Sequence, residues 1–499
     1  MLAFFTLGST TMPSDPGLLT TIILIVAVIM IFNVIIFVHE LGHFLAGKWR
    51  GLKIDRFQIW FGKPIWKKTI NGVQYGLGWI PAGGFVSLPQ MAPMEAIEGD
   101  SLDSDPLPPI SPLDKIIVAF AGPFFSFLLA LTAAVTLTLI KKPVDIIPTT
   151  TVGWVQHDSP AAKSGLQRGD RILAINGNPV DTWNLQLDSV FMNIVTSSGD
   201  TIHFTVDRPG KGKIDLYSKF EIQKTKWWER KKTRQVGVLP MPKDGPVKVS
   251  TLVEDANAPA RLGGMQKGDI LTAIDGKPIV HVQQAIELIE RHPGKSLAFT
   301  VQRAGEELTL NITPIKPVPE KPDPDAEPQK AKIGAMFTSP HAHIREWRSP
   351  GPFKQIGDTM RTMWMTLTTV SDPNSDIGIQ HLSGPVGIGK IQYFLLQLEH
   401  PFHRILSFMV LININLALLN LLPFPVLDGG HITIATMEAV ARRPVNIKFL
   451  EVLQLTFVFL LFGIMLYVTS KDIFDDFGMT SKPDPVRYVF PEPEVPSKP

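Results

Sequence analysis

The chain has 499 residues, 44% of them apolar, and a mean hydropathy of +0.14, values that exclude an ordinary, wholly soluble protein. Only 19% of residues are charged, and 48 basic against 46 acidic side chains leave a net charge of +2, which excludes a basic nucleic-acid-binding surface and disorder throughout. Cysteine is absent, so disulfides, thiolate-held metals and thiol nucleophiles are excluded as well, and any metal has to be held by His, Asp or Glu.

Four stretches carry no charged residue over a membrane-crossing length: Pro16–Val38, Ile116–Ile140, Ile405–Leu427 and Val452–Ser470. At about 1.5 Å per residue, each matches a hydrocarbon core of about 30 Å, which predicts four transmembrane helices. The first has neither a basic leader nor an A-x-A-like cleavage site and is expected to be retained. Lys48, Arg50, Lys53, Arg56, Lys63, Lys67 and Lys68 follow the first span, and Arg442, Arg443 and Lys448 separate the third from the fourth. No basic residue precedes the first span, so the positive-inside bias places both termini, and the long segment Lys141–Arg404, outside the cytoplasm.

That segment contains an internal repeat. Residues 159–180, SPAAKSGLQRGDRILAINGNPV, align without gaps to residues 258–279, APARLGGMQKGDILTAIDGKPI, with ten identities in 22 at a constant offset of 99. A helix started by small residues, a G-x-x-x-G-D turn, a β-rich run and an N/D-G turn are similar to PDZ domains of the bacterial protease-associated kind. Each copy continues with a predicted helix, Leu185–Thr196 or Val282–Arg291, and a strand, Thr201–Asp207 or Ser296–Arg303. A PDZ groove accepts an extended peptide as an added strand; the competing reading is a rigid spacer. Pro314–Gln329 is Pro- and charge-rich and reads as an extended linker, and His343–Val370 has the spacing of an amphipathic helix at the membrane surface or of a buried soluble helix. The Pro-rich tail Lys482–Pro499 reads as disordered, and the acidic insertion Glu95–Asp105 suggests no role.

The chemistry is concentrated at the inner ends of two spans. FVHELGH is an H-E-x-x-H pattern: His39 and His43 project from one helix face a turn apart and can share a metal, with Glu40 beside them to handle the metal's water. A catalytic zinc needs a third protein ligand and an open position. Spans one and three run in the same direction, so the end of NLLPFPVLDGGH, residues 420–431, reaches the depth of the histidines. Asp428 completes a His₂-carboxylate set once Pro423 and Pro425 break the helix; His431 is a competing ligand. Asn420 lies about 12 Å from Asp428 along an ideal helix, so it reaches the centre only if that helix is disrupted, and it also reads as a group satisfying broken-helix carbonyls. Asn413 and Asn415 read as interhelical hydrogen-bonding groups, and His341 and His343 as solvated surface residues.

These motifs together resemble the site-2 protease family of intramembrane zinc metalloproteases, in its bacterial regulator of sigma-E protease form, over about residues 17–475. YGLGWIPAGGFVSL, residues 75–88, is similar to the family's membrane-associated β-hairpin, and FAGPFFS, residues 120–126, to its A-G-P-x-x-small motif. Trp60 departs from the pattern, which more often has Gly there. The resemblance implies a multi-pass α-helical membrane protein with four transmembrane helices, a membrane-associated β-hairpin and two inserted α+β PDZ domains. Its divisions are 17–46, 113–140, 403–428 and 449–470 for the spans, 47–112 for a cytoplasmic loop with the hairpin, and 150–240 and 241–316 for the PDZ domains. A 317–342 linker, a 343–402 periplasmic amphipathic segment and a 471–499 tail complete it.

The resemblance also implies Zn²⁺ as cofactor, His39, His43 and Asp428 as its ligands, and Glu40 as general base. Asn420 is implied as a substrate-backbone or oxyanion group, and Tyr75, Gly83, Gly84 and Phe85 as an edge holding substrate extended. Its implied substrates are single-pass membrane proteins, such as anti-sigma factors or remnant signal peptides, already cut once outside the membrane, with the PDZ pair filtering them by size. The implied location is the bacterial inner membrane, with the active site near the cytoplasmic side. Two alternatives are a membrane-bound PDZ scaffold or quality-control adaptor with a vestigial metal site, and a zinc transporter. The scaffold needs neither Glu40 nor a full ligand set, and the transporter needs no large peptide-binding insert.

Overall fold

The computed structural model describes residues 17–91, 108, 110–184, 187–222, 233–241, 246–320, 329–338, 344–443, 445, 447–474 and 488–491. The acidic insertion, His341, His343 and most of the C-terminal tail lie outside them.

Helix α1, Leu18–Trp49, carries the apolar run of the first span and continues through the H-E-x-x-H residues before ending at Arg50–Gly51. Four strands follow: β1 Arg56–Phe61, β2 Trp66–Ile70, β3 Val73–Leu77 and β4 Ile80–Ser87. They form one sheet in the order β2-β3-β1-β4, with β1 parallel to β3 and antiparallel to β4. This corrects the expected hairpin at residues 75–88. The two-residue turn is Asn71–Gly72, whose positive φ values of 51° and 83° suit the twist of a tight hairpin, and it joins β2 to β3. β3 and β4 do not pair with each other; β1 lies between them. Phe57, Val86 and Leu88 from this region pack with Phe44 of α1 and with Val118 and Ala121 of α2, Pro112–Ile140, so the sheet is fixed to two spans.

Next, β5, Lys142–Ile146, leads into two similar α+β units. The first comprises β6 Val152–Val155, α3 Pro160–Lys163, β7 Arg171–Ile175, β8 Asn178–Pro179, α4 Val190–Val195, β9 Ile202–Arg208, β10 Gly212–Ser218 and β11 Val238–Pro240. The second repeats that order: β12 Val247–Leu252, α5 Pro259–Leu262, β13 Ile270–Ile274, β14 Lys277–Pro278, α6 Val282–Arg291, β15 Leu297–Arg303, β16 Glu306–Ile312, then β17 Val318–Pro319 and β18 Ala335–Thr338. Helix α4 is shorter than the expected Leu185–Thr196, its start marked by Ser189, whose hydroxyl accepts the Met192 N–H. Each unit has its own apolar core, around Phe204 in the first and Phe299 in the second. Both also keep an ion pair on a buried aspartate at equivalent places, Arg208 with Asp170 and Arg303 with Asp269, N···O 2.7 Å in each.

Beyond the units, β19, Ile344–Arg348, pairs with β5, so the expected helix over residues 343–370 begins only after a strand. Burial alternates along this strand, with Ile344 and Glu346 half-buried and Arg345 and Trp347 exposed, the period-2 pattern of a strand rather than a helix. Helix α7, Pro352–Ser371, docks through Ile356 and through Gln355, whose amide donates to the Ala134 carbonyl at 3.0 Å, while Phe353 and Trp364 stay exposed. Helices α8, Pro385–Gln397, and α9, Pro401–Asn420, follow, then α10, Asp428–Ala441, α11, Ile447–Phe474, and strand β20, Tyr488–Val489. Among the described residues, four helices are long and apolar enough to cross a membrane: Leu18–Trp49, Pro112–Ile140, Pro401–Asn420 and Phe449–Ile473. The third span thus ends at Asn420 rather than within 427–428, because Pro423 and Pro425 cannot supply helical N–H donors. Tyr488–Val489 pairs with Val318–Pro319, which corrects the expectation of disorder for that part of the tail.

The Arg303 guanidinium, hydrogen-bonded to Asp269, holds that carboxyl below its ordinary value. A carboxyl whose folded value is depressed stabilises the fold above its unfolded value, near 4, and loses that contribution as pH falls through the folded value. Asp269→Asn is therefore expected to lower the stability of the second unit at pH 7 and to flatten its loss of stability between about pH 4 and lower pH. Hydrogen exchange of β13 and β15 across that range checks it.

Candidate metal centre

His39 and His43 lie one turn apart near the end of α1, their rings 5.0 Å apart at 80°. Each outer nitrogen is held from helix α2. The Nδ1–H of His43 donates to the Val118 carbonyl at 2.8 Å, and Nδ1 of His39 lies 3.0 Å from the Ser126 hydroxyl. Since a carbonyl can only accept, the neutral ring of His43 must present its lone pair at Nε2, as a metal ligand requires. Gly122, one turn from each of these partners, leaves room for the rings; a Cβ there would overlap Nε2 of His43.

The third group comes from a break in the chain. α9 ends at Asn420, Leu421–Leu427 form tight turns, and Asp428 opens α10. Gly429 and Gly430 lie so close to the Leu421 and Phe424 carbonyls that a Cβ at either would overlap them. The carboxylate of Asp428 thereby reaches both histidines, Oδ2 at 3.3 Å from His39 Nε2 and Oδ1 at 3.3 Å from His43 Nε2, and the two Nε2 atoms are themselves 3.3 Å apart. Metal–ligand bonds of about 2.0–2.1 Å at a tetrahedral angle put ligand atoms about 3.3 Å apart, so this triangle has the dimensions of a zinc site. Asp428 Oδ2 is buried with no hydrogen-bond partner, and a metal cation at the point where it meets the two Nε2 atoms would satisfy it. Among the described residues, His39, His43 and Asp428 are the set able to hold a metal, and His431 is not in it.

Glu40 is half-buried beside the histidines, and β4 passes it: a Cβ built on Gly84 would lie 3.6 Å from Glu40 Cγ. β4 is the outer strand of its sheet, and Gly83 and Phe85 belong to it. Tyr75 is placed differently. It lies on the inner strand β3, its ring packed against Phe44 and Phe57 at 6.0 and 6.2 Å, so it contributes to the core beneath the site rather than to the outer edge. The Asn420 amide reaches the centre, 3.3 Å from His39 Nε2, because its helix stops there. Asn413 is fully buried and donates to the Met409 carbonyl of its own helix at 2.8 Å, not across helices. Trp60 has φ 67° at a bulge between Ile59 and Phe61, a backbone region that favours glycine, and its indole N–H donates to Asn33 of α1.

The chain matches the model of peptidase family M50 over residues 27–464. It belongs to that family of zinc-dependent metallopeptidases. It is 29% identical over 447 residues to a putative zinc metalloprotease of Neisseria meningitidis, with 85% of this chain and 92% of the relative covered. It is 28% identical over 450 residues to the regulator of sigma-E protease RseP of Escherichia coli, covering 84% and 91%, and 30% identical over 430 residues to RseP of Salmonella typhimurium, covering 84% and 91%.

Ser126, Gly122 and the Val118 carbonyl support the ligands without standing out as such from residue type. The run FAGPFFS carried the signal, since glycine and serine four apart mark one face of a helix close to a neighbour. Ser126→Ala is expected to weaken zinc binding about 10–100-fold, and Gly122→Ala to weaken it more. Metal content of the purified protein dialysed against graded chelator distinguishes the two.

Proposed function

We propose that this membrane-embedded metallopeptidase cleaves the transmembrane segments of single-pass proteins, with His39, His43 and Asp428 holding zinc and Glu40 as general base. The observation that carries the reading is the ligand triangle with Glu40 beside it, built from the end of the first candidate span and the helix that restarts after the third rather than from an extramembrane domain. Zinc supplies a Lewis acid that acidifies water and polarises a peptide carbonyl. Glu40 takes the proton from the attacking water and returns it to the leaving amine. Asn420, with its amide at the same centre, hydrogen-bonds the oxygen on which charge develops.

A helical substrate has its carbonyls tied up in its own backbone bonds, so it must be held extended to be cut. The outer edge of β4 passes Glu40 and accepts a substrate strand, with Gly83, Gly84 and Phe85 lining it. Basic residues after the first span and between the third and fourth put the metal centre near the cytoplasmic face of an inner membrane, and both termini and the paired units outside. Exposed Phe353 and Trp364 on α7 suit a lipid surface there. The paired units, read as PDZ domains, filter substrates left by a first external cut, such as anti-sigma factor remnants.

Glu40→Gln is expected to keep bound metal yet lose cleavage of a pre-truncated single-pass substrate in lipid by about 10²–10⁴-fold. Retained cleavage by a variant free of wild-type enzyme would overturn the assignment. Asn420→Ala is expected to lower kcat by about 10²–10³-fold with metal content unchanged, read from the same assay beside metal analysis.

A further inference from the structure

The C-terminal tail returns to the second repeated unit. Val489 and Tyr488 pair antiparallel with Val318 and Pro319, and the Phe490 N–H donates to Asp255 Oδ2 at 2.7 Å. The Phe490 side chain is only 6% exposed, against Gly334, where a Cβ would sit 3.1 Å from the ring, and near Ala258. These partners belong to the second unit: Asp255 and Ala258 precede α5, and Gly334 immediately precedes β18, the outermost strand of its sheet. Strand pairing, a charge-assisted backbone hydrogen bond and a buried aromatic ring are together the features by which a folded domain recognises an extended peptide. This tail also lies beyond the residues that match the family, which end at 464.

We propose that Tyr488–Phe490 is an intramolecular ligand of the second unit. The surface formed by Val318–Pro319, Asp255, Ala258 and Gly334 is then a docking site for an extended peptide with one buried aromatic side chain, filled in cis by the tail. Because it belongs to the same chain, the ligand binds intramolecularly, at an effective concentration of about millimolar, so the site stays filled even if the contact alone is weak. The tail also ties the second unit to the end of the fourth span, whose Asp472 carboxylate accepts the Gly384 and Gly387 N–H groups at 2.8 and 2.9 Å and so fixes that span to α8. The first unit is held separately, by Arg234 on Asp376 at 2.7 Å and on the Asn374 carbonyl at 3.0 Å. The two units also touch each other, the His157 N–H donating to Glu287 at 3.2 Å and Trp154 stacking on His281, so release of the tail would cut the second unit's link to the fourth span while leaving its contact with the first.

The test uses a fluorescent peptide of residues 484–495 and three full-length or near full-length proteins in nanodiscs: wild type, Phe490→Ala, and a chain ending at Ser481. Binding at least ten-fold tighter to the truncated chain and to Phe490→Ala than to wild type is expected, and a peptide with Ala at the position of Phe490 should bind the truncated chain at least ten-fold more weakly. Equal binding to wild type and truncated chain, or no binding to a truncated chain that retains its basal peptidase activity, would overturn the proposal. Hydrogen exchange on the intact wild type gives an answer independent of any variant: the Phe490 amide should be protected and should lose at least ten-fold protection when excess peptide is added. An amide exchanging at the rate of an unstructured chain would overturn it equally.

Discussion

The architecture around the metal centre depends on one broken helix. Asp428 can face two histidines on another helix only because the backbone stops being helical at Asn420 and restarts after seven non-helical residues. In an apolar surrounding such a break is costly unless its polar groups are satisfied. Here Leu422 donates to Leu419, Phe424 to Leu422 and Leu427 to Phe424, and the Gln454 amide from α11 reaches the Pro425 carbonyl at 3.4 Å. The two prolines stop the helix, and the two glycines let the restarted helix lie directly on the carbonyls that were freed. Asn420 and Asp428 are brought to the same point by the same break.

Helix α2 plays a different part. It contributes no ligand but sets the orientation of both histidine rings, through a carbonyl and a hydroxyl two turns apart with a glycine between them. A backbone carbonyl can impose a tautomer on His43 more rigidly than a side chain, because it has no rotamers of its own. The centre is therefore a meeting of α1, α2 and α10, joined outside by the Lys115–Glu438 ion pair at 2.8 Å.

What could be read from the residues followed strength of pattern. The four uncharged stretches, the HELGH spacing and the proline-broken approach to Asp428 are strong local signals, and one strand in each unit, β9 and β15, lies within a residue of where the repeat puts it. Pairing partners were harder. That β1 lies between β3 and β4, so that Tyr75 faces a core instead of an edge, depends on which strands meet in space, and alternation along 75–88 is the same in either arrangement. The β5–β19 and β17–β20 pairs escaped for the same reason: strands two to five residues long joined across some 170–200 residues leave almost no periodicity. The Val118 carbonyl is invisible in sequence because a carbonyl's role has no residue type, and Ser126, though spaced from Gly122 like one face of a close-packed helix, does not say which neighbour it meets.

The ligands are also far apart in the order of synthesis. His39 and His43 leave the ribosome long before Asp428, with nearly the whole extramembrane region between them. At about 5–20 residues per second, more than a quarter of a minute separates them. Through that interval the first two spans present His39, Glu40 and His43 without Asp428, so a nascent chain holds two histidines before the candidate metal centre can be complete. Proteolytic competence thus arrives as an assembly checkpoint: it is conferred only when the third span and the helix behind it are in place, by which time both extramembrane units have been made and have had time to fold.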